Sequence, residues 1–256
     1  MAMLQEFVNS GRPPMKSSTT RNRFFLLDSL LSTGSLCLAA LLALPASAAA
    51  APPAVATTST AAQPREISMG DTARQLSDWV RTTNDHKAQA FAIIDKKNAA
   101  LHVFDLDGTK LASSPVLLGL AIGDASVPGI GERKMSQIRP EERTTPAGRF
   151  VSEPGVNLQG KDIVWIDYDA AVSMHRVVTS NKAERRLERL ATPDIADNRI
   201  SYGCVNVPVA FYDKFIKPVF GSQAAVVYVL PETSEASAFF NMNGAPSTTA
   251  ALAAEK

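Results

Sequence analysis

The stretch Ile200-Ser201-Tyr202-Gly203-Cys204-Val205-Asn206 places a cysteine directly behind a glycine, between two short runs that alternate apolar with polar residues. Such alternation belongs to half-buried strands, and glycine lets the backbone turn tightly beside the sulfur. A free thiol near pKa 8.5 is only a few per cent ionised at neutral pH, so a cysteine kept for nucleophilic chemistry needs a base. His175, 29 positions upstream in the same run of strands, is the candidate. Lowering the thiol pKa by about two units corresponds to roughly 2.7 kcal/mol, within what a neighbouring imidazolium gives. The amides of Gly203 and Cys204 would then point at a developing oxyanion.

Strand signals spread outward from this stretch. Residues 91–95 and 101–105 flank Lys96-Lys97-Asn98-Ala99, and Asp107-Gly108 marks a second tight turn before Leu111 and 116–118, which reads as a β-meander. Further strands are expected at 148–152, 162–167, 171–178 and 224–230. Residues 120–145 lack periodicity and are rich in Gly, Pro and mixed charge; they read first as a solvated surface loop, with a lid or binding loop as the alternative. Asn181 and Glu184 have the spacing of a helix cap, with Ala183, Leu187 and Leu190 on one face. Pro208 opens another helix, whose Phe211 and Phe215 face one way. A helix is also expected at 71–82, from Ala73, Leu76, Trp79 and Val80.

The N-terminal region follows a different logic. Basic residues up to Arg23, the apolar run 36–44 and Ala46-Ser47-Ala48 have the order of a secretory signal, cut after Ala48. Interruptions at Asp28, Ser29 and 32–35 leave too short an apolar run for a bilayer span, so no stable span is expected after cleavage. Residues 49–64 are almost all Ala, Pro, Thr and Ser, a spacer composition. The expected organisation is therefore a signal at 1–48, linker plus one helix at 49–87, one domain at 88–231 and a flexible tail at 232–256.

Composition narrows the function. The chain of 256 residues carries 26 basic and 25 acidic side chains, a balance without the field that attracts nucleic acid. Two cysteines exclude a disulfide-dense scaffold and a four-cysteine zinc site, and one of them, Cys37, leaves with the signal. No metal constellation or phosphate-cradling glycine loop is present in the sequence, so no cofactor is expected.

The SYGCVN stretch, the upstream His175 and the turn Thr145-Pro146-Ala147-Gly148-Arg149-Phe150 together resemble an L,D-transpeptidase catalytic domain of the YkuD type. The resemblance spans about 91–230. That family carries a Ser-His-Gly-Cys-hydrophobic-Asn/Arg signature, and it implies a mostly β fold, a β-sandwich with short flanking helices. It also implies thioacyl chemistry on peptidoglycan stem peptides in the periplasm or outside the cell, with transfer to another stem, an amine or water. Matched position by position, Cys204 is the nucleophile, His175 the base, and Ser201, Gly203 and Asn206 occupy their signature places. Arg149 is a candidate contact for a substrate carboxylate. Tyr202 stands where the family usually has histidine, and a phenol near pKa 10 does not replace an imidazole at neutral pH. Two further readings stay open: a hydrolase of the same fold, separated only by acceptor preference, and, on account of Tyr202, a non-catalytic peptidoglycan binder in which Tyr202 is a packing or wall residue. The acceptor and the oligomeric state are left open.

Overall fold

The structure, a computed structural model, describes residues 67–243. The expected signal, the whole 49–64 spacer and residues 244–256 lie outside the described residues. Among the described residues no helix is long and apolar enough to cross a membrane.

The chain enters through α1 (Asp71–Thr83). Ala73, Leu76, Ser77 and Val80 make its buried stripe, and Asn84 ends it in the left-handed conformation, sending its N–H back to the Arg81 and Val80 carbonyls. Three antiparallel strands follow, β1 (Phe91–Asp95), β2 (Ala100–Phe104) and β3 (Lys110–Pro115), and then the short β4 (Leu118–Gly119). After the 120–145 segment come β5 (Gly148–Val156), β6 (Asp162–Asp167) and β7 (Val172–Arg176). Beyond α2 (Arg186–Ala191) lie β8 (Arg199–Ser201) and β9 (Val205–Val207). A helical run follows as α3 (Val209–Phe211), a π-turn (Tyr212–Ile216) and α4 (Lys217–Phe220). β10 (Ala225–Val229) and α5 (Ala236–Phe239) complete it.

One eight-stranded sheet runs β3-β2-β1-β10-β5-β6-β7-β9, and β4 pairs with β8 separately. Strand β5 turns the sheet into two layers. Its residues 148–152 pair with β10, and 153–156 pair with β6. The half before this switch, A, and the half after it, B, face each other across one core. Ala92, Ile94, Leu101, Val103 and Val227 come from A, and Val164, Met174, Val205 and Val207 from B. Each such side chain taken from water contributes about 1.5–3 kcal/mol. The fold is thus mostly β, as the motifs imply.

Half A is covered on its other face as well. Phe91, Ile93, Phe104, Val226 and Tyr228 pack against Ala73, Leu76 and Val80 of α1 and Ala236 of α5. This explains why β1, β2 and β10 are buried at every position and show no apolar/polar alternation. It also corrects two expected boundaries. Helix α1 belongs to the core rather than to a linker, and the described chain after 231 continues packing, because Glu232 is buried in an ion-pair cluster and α5 closes the apolar face.

Three local expectations also change. The 182–190 segment is a 3-10 turn (Lys182–Glu184) followed by α2, with Arg185 at φ 49° breaking the helix between them. Asn181 caps through the Ala183 amide, and of the expected apolar face only Leu190 is buried. In the 209–220 run the π-turn brings Tyr212, Ile216 and Phe220 into the core, while Phe211 and Phe215 pack ring to ring at 4.9 Å at its margin. The 120–145 segment is not a solvated loop. It is pinned by a bridge between Ala121 and Thr144, wound into three 3-10 turns, and packed through Ile130 and Ile138 against Ala171 and Tyr202.

His102 is buried on β2 with its Nδ1 2.8 Å from the Ser113 hydroxyl, and its Nε2 has no hydrogen-bond partner. Burial pushes its pKa down to about 4, against the pull of Asp95. The unfolded chain therefore binds a proton that the folded chain refuses between about pH 6.5 and 4. Stability is expected to fall as pH drops through that window, by up to about 3 kcal/mol. Denaturation at stepped pH checks this, and His102→Gln should flatten the slope.

Candidate active site

Strands β7 and β9 are parallel, with Met174 opposite Val205 and His175 opposite Asn206. Met174 and Val205 point into the core, so alternation sends Ser173, His175, Cys204 and Asn206 to the outer face of half B. Trp165 pairs with Ser173 and shares that face. Adjacent strands lie about 4.8 Å apart, and residues on one face about 6.6 Å apart along a strand. His175 and Cys204 are therefore diagonal neighbours.

The turn that presents Cys204 is held from three sides. The Ser201 hydroxyl donates to the Cys204 carbonyl at 2.6 Å and accepts the Gly203 N–H at 3.1 Å. Asn206 donates from Nδ2 to the same carbonyl at 3.3 Å. From below, the Thr145 hydroxyl donates to the Gly203 carbonyl at 2.8 Å and accepts the Gly119 N–H at 2.9 Å. The Thr145 carbonyl in turn accepts from Lys96 Nζ at 3.0 Å. The turn beginning at Thr145 therefore supports the cysteine turn directly.

Gly203 sits at φ +129°, and a Cβ there would lie 2.8 Å from the Thr144 carbonyl oxygen. Neither the dihedral nor the contact suits another residue. Gly203→Ala is expected to cost about 2–3 kcal/mol and, by displacing the sulfur, to slow any Cys204-dependent reaction about 100-fold. Thermal melts beside rate measurements test both parts.

The thiol is 7% exposed and donates to the Ala171 carbonyl at 3.5 Å, while the Ser173 hydroxyl donates to the sulfur at 3.6 Å. Burial pushes the Cys204 pKa up, and the Ser173 hydrogen bonds and the Arg186 charge work against it. At His175 burial pushes the pKa down, while the bond to the Arg176 carbonyl opposes this. That bond, 2.8 Å from Nδ1, needs the proton on Nδ1 and leaves the Nε2 lone pair as the basic site. The resting pair is accordingly a neutral thiol and a neutral imidazole. The expectation of a thiol acidified at rest by His175 is corrected by this burial.

The remaining sequence candidates separate. Ser201, in its signature place, is 3% exposed and braces the turn. The Gly203 amide, expected to point at an oxyanion, donates instead to the Ser201 hydroxyl. Tyr202 packs with Ile130 and Ile138, and the Arg143 guanidinium lies 3.9 Å above its ring, so it is a packing residue. Arg149 is not brought to the site. On β5 opposite Tyr228 it faces the α1 side of half A, where it donates to the Asp85 carboxylate at 2.6 Å and the Asp85 carbonyl at 2.7 Å.

A groove of about 350 Å3 lies between Gly129, Gly131 and Glu132 of the 120–145 segment and Trp165, Tyr168 and Asp169, and neither Cys204 nor His175 lines it. Ala171, whose carbonyl takes the thiol hydrogen bond, also lines it. A cleft of about 380 Å3 between α1 and the β2–β3 turn lies on the far side of half A. Among the described residues no group of three or more His, Cys, Asp or Glu is placed to hold a metal ion.

The fold is similar to that of L,D-transpeptidase catalytic domains. The catalytic domain from E. faecium L,D-transpeptidase matches at 18% identity and a TM-score of 0.31, over 57% of this chain and 99% of that one. The helical cell shape determining protein Pgp2 from Campylobacter jejuni matches at 14% identity and a TM-score of 0.39, over 63% of this chain and 57% of that one. The L,D-transpeptidase from Mycobacterium smegmatis matches at 16% identity and a TM-score of 0.29, over 55% and 58% of the two chains. No protein-family profile and no curated protein matches the chain.

Sequence reasoning missed three contributors. Ser173 was hidden because its pairing with Cys204 depends on the register of two strands far apart in sequence. Lys96 read only as part of a turn between two strands but is fully buried. Arg186 sat in a helix read by its apolar face, yet its guanidinium donates to Asn206 Oδ1.

Proposed function

We propose that the chain is an exported cysteine acyl-transferase acting on peptidoglycan stem peptides, working outside the cytoplasm after removal of residues 1–48. The observation that supports it is the diagonal placement of Cys204 and His175 on one polar sheet face, behind a braced Ser-Tyr-Gly-Cys turn. A stem peptide laid over this face brings its carbonyl to the sulfur. The Cys204 proton passes to His175 Nε2, the sulfur bonds to the carbonyl carbon, and the C–N bond to D-alanine breaks as the imidazolium returns its proton to the leaving amine. An acceptor amine then attacks the thioester, gives its proton to His175, and the released thiolate is reprotonated. The neutral resting pair fits this cycle, because both groups start uncharged and ionise only when the site closes on substrate.

The non-catalytic binder is the second reading, favoured by Tyr202, which packs against Ile130 and Ile138 where the family usually has histidine. The test is incubation of residues 49–256 with disaccharide-tetrapeptide muropeptides, read by mass spectrometry of protein and product. The proposal expects an acyl adduct on Cys204, loss of terminal D-alanine and cross-linked dimers. Shortened monomers without dimers would identify a hydrolase, and protein that sediments with sacculi without adduct or product would identify a binder.

A further inference from the structure

The segment 181–191 lies between β7 and β8, and its helix is broken at Arg185. The break turns the next residue, Arg186, toward the outer face of half B. Its guanidinium is 14% exposed and has two partners: Nη1 donates to Asn206 Oδ1, and Nε pairs with the Glu184 carboxylate. Asn206 uses its other polar end to hold the Cys204 carbonyl. A single relay of hydrogen bonds therefore runs from the guanidinium through Asn206 to the backbone of the candidate nucleophile. Asn206 also sits opposite His175 in the strand register, which places the same guanidinium beside the base.

We propose that Arg186 is a positioning residue for Cys204: it fixes Asn206 against the Cys204 carbonyl and supplies the positive charge that stabilises the sulfur as an anion. The inference rests on the reading of Cys204 as nucleophile but not on the identity of the substrate. Its physical basis is the site's main deficit. The sulfur is buried, and burial alone disfavours the thiolate on which attack depends. A guanidinium stays charged at every relevant pH, and in a buried setting its field is little screened. Glu184 sets how much of that charge the site feels, since it neutralises Arg186 from the solvent side. The other titratable groups from elements packed around the sulfur are His175 on β7, Asp169 in the β6–β7 turn, Glu132 and Arg143 on the 120–145 segment, and Tyr202 itself.

The experiment titrates the Cys204 thiolate by ultraviolet absorbance in residues 49–256, where it is the only cysteine, together with iodoacetamide alkylation across pH. No substrate is needed, so failure here is distinguishable from failure of the peptidoglycan reading. Arg186→Gln is expected to move the titration upward by about one pH unit, a roughly tenfold loss of thiolate at a given pH below it. Arg186→Lys should keep the titration close to wild type, because the charge remains. Glu184→Gln should move it in the opposite direction, since it removes the neutralising partner. A merely structural role would move neither variant's titration in a charge-dependent direction. Titrations that coincide for wild type, Arg186→Gln and Glu184→Gln overturn the proposal, as does an Arg186→Lys variant that titrates like Arg186→Gln. If Arg186→Gln fails to fold, the downward shift in Glu184→Gln decides alone: its presence supports the proposal and its absence ends it.

Discussion

Replacing Cys204 by alanine is expected to remove the acyl adduct and all muropeptide products, a loss of at least about four orders of magnitude in rate, while the protein stays folded. The two halves of that expectation come from different parts of the structure. Reactivity is concentrated in one atom, because Cys204 is the free cysteine among the described residues and no hydroxyl of the site is placed behind the same braced turn to replace it. Stability depends little on the sulfur. Its hydrogen bonds, 3.5 Å to the Ala171 carbonyl and 3.6 Å from the Ser173 hydroxyl, are long and weak, and the turn is held by Ser201, Asn206 and Thr145 through backbone atoms that alanine retains. The cost should be about 1 kcal/mol. A variant that keeps turnover would show that chemistry lies elsewhere; one that loses turnover only by unfolding would show that the thiol is a packing residue. Melting curves beside the product assay separate these results.

Lys96→Ala is expected to be the most destabilising single change in the described chain, at about 3–5 kcal/mol. Its ammonium is fully buried and donates to Asp124 at 2.9 Å, to the Gly123 and Thr145 carbonyls, and lies 3.5 Å from Glu232. Arg199 meets Glu232 from the other side. Removing the lysine strips a cation from a site that keeps two carboxylates, so the loss is an uncompensated charge in addition to a cavity. For a domain of this size it should lower the melting temperature by about 10 °C or more. The effect should also reach the site, because Lys96 holds the Thr145 carbonyl and Thr145 holds Gly203. Turnover at a temperature where the variant remains folded should therefore fall as well. Burial opposes ionisation of Asp124, but hydrogen bonds from Thr233, the Glu232 amide and Lys96 win and hold its carboxyl well below the usual carboxylate range. With the folded pKa depressed, this contribution is complete above about pH 4 and is lost as pH falls below it. Acid unfolding of wild type should show that loss, and Asp124→Asn should reduce it. A Lys96→Ala variant with wild-type stability would mean that the cluster contributes nothing.

Much of the architecture was legible because it is local. Strands β1, β2, β6, β7 and β10 were found within about two residues from apolar runs and turn residues, since strand formation there depends on patterns a few residues long. Gly203 was legible for the same reason: tight approach of backbone to backbone leaves glycine as the only fit. The 120–145 segment was not, because its order comes from a buried lysine, a distant glutamate and two isoleucines that no window of the sequence brings together.

At the site the division is sharper. The sequence by itself determined that Cys204 is presented by a glycine turn between strands, and that His175 is the histidine on the neighbouring run, because residue type and spacing are properties of the chain. Tertiary structure alone decided what these groups can do. The bend at β5 closes the two halves over one core and leaves Ser173, His175, Cys204 and Asn206 on a single outer face. The same register assigns Arg149 to Asp85 behind half A and brings Arg186 to Asn206. Charge state followed from burial, which moves the thiol and the imidazole pKa in opposite directions. Desolvation depends on everything packed around a group, and that is a property of the folded molecule and not of any stretch of its sequence.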